Sequence, residues 1–268
     1  MLSYAVIYGI IPVKGVVTMS DPITAVEYGR GNARRIMLLH GGGLSWWNYR
    51  EVALLLQGDY HVILPILDGH GGSGRPFCSI EENAAALLRY IDEYCQGRVF
   101  LLGGLSLGGQ IAAEMLAMRP GVCECAILES ACVIPSKWER ALIRPMLNMS
   151  YGLIRQKWFA RLQFRSLKIK EALFQDYYAD TCRITCQDMT AFLQDSTGYC
   201  CKDGIRDTAA GVHIVVGEKE TAIMCASAEK LHRMIPGSTL QIKKGLFHGE
   251  FSINHPAEYA ELIRKLPT

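Results

Sequence analysis

Two hydrophobic rhythms alternate along this chain. Compact apolar runs of strand length occur at Ile36–Leu39, His61–Leu67, Val99–Leu102, Cys125–Glu129, Val212–Val216 and Thr239–Lys243. Between them lie longer stretches in which apolar residues return about once per helical turn, as at Ile111, Met115 and Met118. Helices are expected over Trp47–Leu56, Ser79–Cys95, Met224–Met234 and Pro256–Leu266, the second capped by Ser79 with Glu82 three residues on. Strands alternating with helices predict a mainly parallel sheet covered on both faces. At the front, residues 4–18 and 22–28 read as two strands of a hairpin, separated at Ser20-Asp21-Pro22.

The rhythm breaks once. From Ala131 to Gly198 the pattern is helical throughout, punctuated by Pro135, Pro145 and Gly152, with no strand-like run. A chain of 268 residues has room for one large core. The expected organisation is therefore a core from residues 1–130 and 199–268, with residues 131–198 inserted as a helical cap. Between Lys137 and Lys170 that insertion carries nine Lys or Arg residues against one acid, Glu139. A solvated basic helix face over an apolar underside is the expectation there, with an anion-binding lid as the alternative.

Composition excludes more than it assigns. A formal net charge of +2 argues against a general nucleic-acid binder, and no apolar run approaches the roughly 20 residues of a membrane span. The first eleven residues are apolar, but Tyr4, Tyr8 and Gly9, without a basic leader, read as a strand rather than a signal peptide. Ten cysteines then point to free thiols in a reducing, cytoplasmic compartment. Their spacings, Cys123/Cys125, Cys182/Cys186 and Cys200-Cys201, match no zinc pattern, and no metal or cofactor is implied.

The chemistry-bearing residues sit where strands end. Gly104-Leu105-Ser106-Leu107-Gly108 has the form Gly-x-Ser-x-Gly between a strand and a helix. So abrupt a turn strains its central residue and needs small neighbours, and it pushes the serine hydroxyl out above a helix N-terminus that favours negative charge. His40-Gly41-Gly42-Gly43 follows another buried strand, and three glycines leave backbone N–H groups uncovered and able to face a ligand. Asp68-Gly69-His70-Gly71-Gly72-Ser73 is a second glycine-rich strand end. Later come the acidic turn Gly217-Glu218-Lys219-Glu220 and the loop Gly245-Leu246-Phe247-His248.

Taken in order over nearly the whole chain, these pieces resemble the α/β-hydrolase family in its serine-nucleophile, esterase/lipase-like branch. The resemblance implies an α/β-hydrolase fold with Ser106 as nucleophile and His248 as its base, a histidine being able to titrate near the working pH. His40 and His70 are expected to organise their glycine loops. The orienting acid falls on Glu220, where the family usually has Asp, with Glu218 and Glu129 as competitors. The oxyanion hole would join the backbone N–H of Leu107 to that of Gly42, or of Gly43 in second place.

A serine at the elbow speaks against the branches of this fold that use Asp there, the epoxide hydrolases and haloalkane dehalogenases. The implied activity is hydrolysis of a carboxylic ester or related small acyl substrate through an acyl-enzyme. Carbon–carbon bond hydrolysis, aminopeptidase activity and acyl transfer remain open on the same triad, as do a non-catalytic receptor and a partner-binding role for the basic cap. The expected partner is a small acyl molecule.

Overall fold

The computed structural model describes residues 22–267, so the strand expected over residues 4–18 lies outside the described residues. Seven strands, β1 (Ala25–Tyr28), β2 (Arg35–Leu39), β3 (His61–Pro65), β4 (Val99–Leu105), β5 (Cys123–Glu129), β6 (Gly211–Gly217) and β7 (Thr239–Lys243), form one sheet. Their order is β1-β3-β2-β4-β5-β6-β7. β1 runs antiparallel to β3, and every other pairing is parallel. Both faces of β2 to β6 are largely buried, as their uninterrupted apolar runs require, whereas β7 at the sheet edge is half-buried to exposed. In β2, Ile36 and Leu38 join one core while Met37 and Leu39 join the other.

The helices follow the expected positions with informative differences. α2 (Ile80–Cys95) is capped as its sequence predicts, the Ser79 hydroxyl accepting the Glu82 N–H at 3.1 Å. The segment from Trp46 opens as a 3-10 turn, Trp46–Tyr49, before α1 (Arg50–Leu56) begins. α3 (Leu107–Met118) starts directly after Ser106. Near the C-terminus a short helix precedes the expected last one, because the chain turns after Asn254 before Pro256.

Between β5 and β6 the described chain is helical: α4 (Lys137–Ile154), α5 (Lys157–Ser166), α6 (Phe174–Thr181) and α7 (Cys186–Gly198). Polar contacts moor this segment to the sheet layer. Trp47 Nε1 donates to Asp180 at 2.8 Å, and the Phe77 and Ile80 N–H groups donate to Asp188 and Asp195 at 2.9 and 2.7 Å. Gln110, buried on α3, donates to the Cys132 and Ser196 carbonyls and accepts from the Ser196 hydroxyl. The outer face carries the exposed basic residues expected of it, Lys137, Arg140 and Arg144 among them, but an apolar stripe as well. α4 does bury Leu147 and Ile154 beneath, yet Trp138, Leu142, Met146, Met149 and Leu153 are exposed.

This topology locates a crevice. β2 leads to β3 on one side of the sheet centre and β4 leads to β5 on the other, so the loops leaving the carboxyl ends of β2 and β4 diverge. In open parallel sheets that point of divergence is where ligands are held.

Candidate active site

At the end of β4 the chain turns from strand to helix on a single residue. Ser106 has φ 54° and ψ −113°, outside the regions a side chain ordinarily accepts. Strain of this kind costs about 1–3 kcal/mol and persists where the surroundings over-determine it. Here the Ser106 N–H donates to the Glu129 carbonyl at 2.8 Å. Its glycine neighbours have no alternative. A Cβ on Gly104 would lie 2.2 Å from the Gly108 carbonyl oxygen, and one on Gly108 would lie 2.2 Å from that of Leu39. Strand, turn and helix can pass at this distance only without side chains.

The glycine loop after β2 is held by its own set of bonds. His40, fully buried, donates from Nδ1 to the Gly41 carbonyl and accepts the Leu67 N–H at Nε2. His70 donates from Nδ1 to the Asp68 carbonyl and accepts the Gly43 N–H at Nε2, 3.0 Å away. Burial lowers the pKa of both rings, His70 to about 4, so each stays neutral and keeps an accepting nitrogen. Beneath them the buried Asp68–Arg75 ion pair, at 2.7 Å, anchors the second glycine-rich turn. The Gly41 N–H is taken by Asn48 Oδ1 at 3.1 Å. With Gly43 engaged by His70, the second-choice oxyanion donor is already bonded. Among the described residues Gly42 alone of the three glycines keeps an uncommitted N–H. It lies beside Leu107, since a Cβ on Gly42 would sit 3.6 Å from the Leu107 Cβ. Leu107 opens α3, where an N–H has no acceptor within the helix.

His248 and Glu220 meet across two loops. The ring Nδ1 donates to Glu220 Oε2 at 2.8 Å, which leaves Nε2 of the neutral ring as an acceptor. Glu220 Oε1 accepts from the Gly217 N–H and the Ser130 hydroxyl, each at 2.7 Å. Burial pushes the Glu220 carboxyl up, but the hydrogen bond and charge of His248, with the Gly217 and Ser130 donors, outweigh it and hold the group below its usual range. Ser106 and His248 line one cavity of about 140 Å³ with Gly42, Leu105, Leu167 and Ile253, an otherwise apolar wall. A second cavity of about 140 Å³ adjoins it, sharing Gly42, Leu44 and Leu167 and walled by Ile154, Gln163 and Phe192.

Comparison with known proteins agrees with the fold. A model of the Alpha/beta hydrolase family matches residues 36–262. The chain belongs to that family. An AB hydrolase superfamily protein of Gibberella zeae is 32% identical over 138 residues, 48% of this chain and 45% of that protein. Lipase 1 of Psychrobacter immobilis is 31% identical over 104 residues, 37% of this chain and 32% of the lipase. The chain thus aligns with less than half the length of either relative. Among solved structures, an esterase from Exiguobacterium antarcticum superposes with a TM-score of 0.77 at 18% identity, covering 90% of this chain and 94% of the esterase. A thermophilic esterase from Thermogutta terrifontis gives 0.73 at 18% identity, covering 93% and 96%.

In this α/β-hydrolase the two competing carboxylates are occupied elsewhere. Glu218 is exposed and accepts the Gly245 N–H at 2.8 Å. Glu129 is 1% exposed and accepts the Ser252 N–H at 3.1 Å. Burial pushes its carboxyl up to about 7, against the hydrogen bonding from Ser252. Two polar residues of the site, Ser130 and Asn48, escaped sequence reasoning, as did the bond from the Gly217 N–H to Glu220. Asn48 carries no motif signal, and Ser130 is one small polar residue after a strand. Only its φ of 53°, a second strained strand end beside Ser106, marks it.

Proposed function

We propose that this α/β-hydrolase is a serine hydrolase that cleaves a carboxylic ester of a small apolar acyl group through an acyl-enzyme. The observation carrying the reading is that Ser106 and His248 line the same cavity while His248 Nδ1 donates to Glu220 at 2.8 Å. Ser106 Oγ attacks the ester carbonyl carbon as His248 Nε2 takes its proton, and Glu220 stabilises the imidazolium. The tetrahedral oxygen receives the Gly42 and Leu107 N–H groups, worth about 3 kcal/mol each of transition-state stabilisation. His248 then protonates the departing alkoxide. Water attacks the acyl-serine by the same route in reverse roles, releasing the acid and restoring Ser106.

The helical segment is read as the cap of residues 131–198, lending Ile154, Gln163, Leu167 and Phe192 to the wall above the glycine loop. The esterase and lipase names among its relatives support an ester substrate. The ten cysteines of the sequence support a reducing, cytoplasmic setting.

A fluorophosphonate probe tests the reading. Wild type should be labelled on one serine and should turn over short nitrophenyl esters, and Ser106→Ala should do neither. Absence of labelling in folded wild type, or undiminished labelling of Ser106→Ala, would remove the hydrolase assignment.

A further inference from the structure

We propose that the outer face of α4 and α5 docks on an anionic lipid surface, with both helices lying in the plane of the headgroups. The face is apolar where water should have selected polar residues. Trp138 is 85% exposed and Met149 86%, and Leu142, Met146 and Leu153 complete a stripe at steps of three and four residues. At 1.5 Å per residue the stripe runs about 22 Å along the helix axis. On α5, Trp158 and Leu162 are exposed as well, at 63% and 62%. A contiguous apolar patch of this extent marks an interaction surface rather than scattered exposure.

Charge selects the occupant. Residues 137–170 hold nine Lys or Arg against Glu139, a net +8 in a chain whose total is +2, so the remainder is net −6. Arg161 and Lys170 pair with Glu171 and Glu51. Lys137, Arg144, Lys157 and Arg165 form no ion pair among the described residues. On the α4 wheel Lys137 and Arg144 lie together about 100–120° round from Trp138, across the exposed face from the apolar stripe, and on α5 Arg165 falls beside Trp158. Exposed tryptophans, an apolar ridge and unpaired cations on the same exposed surface are the requirements of an interfacial helix on acidic headgroups. A second copy of the chain would set one basic face against another and is disfavoured. Crossing the bilayer is a different matter: among the described residues no helix is long and apolar enough to do so.

The same two helices supply Ile154 and Gln163 to the cavity beside Gly42. Docking would therefore set the proposed ester site against a source of amphiphilic substrates. The docking itself does not depend on hydrolysis, and the experiment keeps the two apart by using the Ser106→Ala chain. Its sedimentation with phosphatidylcholine vesicles is compared with that on vesicles containing phosphatidylserine, at low and high salt. Binding to the anionic vesicles should be at least about tenfold tighter and should weaken as salt rises. Trp138→Ser with Met149→Ser, and separately Lys137→Gln with Arg144→Gln, should each lower it about tenfold. These side chains are exposed, and unchanged circular dichroism would show that the fold survives. Absence of binding, equal binding to neutral and anionic vesicles, or lipid-free dimerisation abolished by Trp138→Ser would overturn the proposal.

Discussion

Replacing Glu220 by Gln changes one atom type in a side chain whose three hydrogen bonds are all donated to it. Its Oε1 accepts from the Gly217 N–H and the Ser130 hydroxyl, its Oε2 from His248 Nδ1, and the side chain is 0% exposed. An amide has one accepting oxygen. The Gly217 N–H is backbone and cannot turn away, so the amide oxygen must face it and the NH2 must face His248. The ring then has to accept at Nδ1 and carry its proton on Nε2, where it cannot take one from Ser106. The other rotamer sets NH2 against the buried Gly217 N–H and costs about 1–3 kcal/mol. Loss of the carboxylate also removes its attraction for the imidazolium. That attraction is about 4 kcal/mol at 4 Å in a medium of effective dielectric 20, and we take half because the His248 side chain is 45% exposed. Together these come to about 3–5 kcal/mol, a fall of about 10²–10⁴ in kcat at about 1.4 kcal/mol per tenfold. The assay is nitrophenyl ester hydrolysis, with circular dichroism to verify the fold. Glu218→Gln and Glu129→Gln should stay within about threefold of wild type. If Glu220→Gln retains near-normal kcat while Glu129→Gln loses it, the tautomer argument is wrong and the acid lies on β5.

Glu129 yields a stability prediction instead. Burial raises its carboxyl from 4.5 in the unfolded chain to about 7, so between those values the folded state holds a proton that the unfolded state has released. The wild type therefore loses stability from this group as pH rises from about 4.5 to about 7. Glu129→Gln, which does not titrate, should gain on wild type by as much as about 3 kcal/mol across that window, read from urea midpoints at pH 5 and pH 8. A difference that stays constant with pH would refute it. The glycines separate by contact: Gly42→Ala meets Leu107 and Phe192 at an ordinary 3.6 Å and should fold, whereas Gly108→Ala meets the Leu39 oxygen at 2.2 Å. Gly108→Ala should cost about 3 kcal/mol or more, and a melting temperature equal to that of Gly42→Ala would contradict the close-packing account.

Much of the architecture is legible in local pattern because each strand and helix announces itself over a few residues. β7 begins and ends where the apolar run does, and the Ser79 cap is visible as two residues. The elbow is equally local, since Gly104 and Gly108 are required by the atoms of the turn itself and of the strand alongside. The apolar stripe on the outer face of α4 is not legible in this way, for a different reason. The helix's periodicity contains two apolar stripes, and a sequence cannot say which one the neighbouring helix α7 covers.

The choice among carboxylates shows the same division. Strand ends at Glu129 and Glu220 look alike in sequence, both acidic residues at the carboxyl side of the sheet. Tertiary structure separates them through partners that lie far away along the chain: Ser252 takes Glu129, while Ser130 and His248 take Glu220. It also decides that His70 holds the Gly43 N–H and leaves that of Gly42 uncommitted. Local sequence determines conformation because backbone torsions and cap bonds act over a few residues. Which donor meets which acceptor is determined by where the sheet brings distant loops together, at distances of 2.7–3.1 Å that no spacing along the chain encodes.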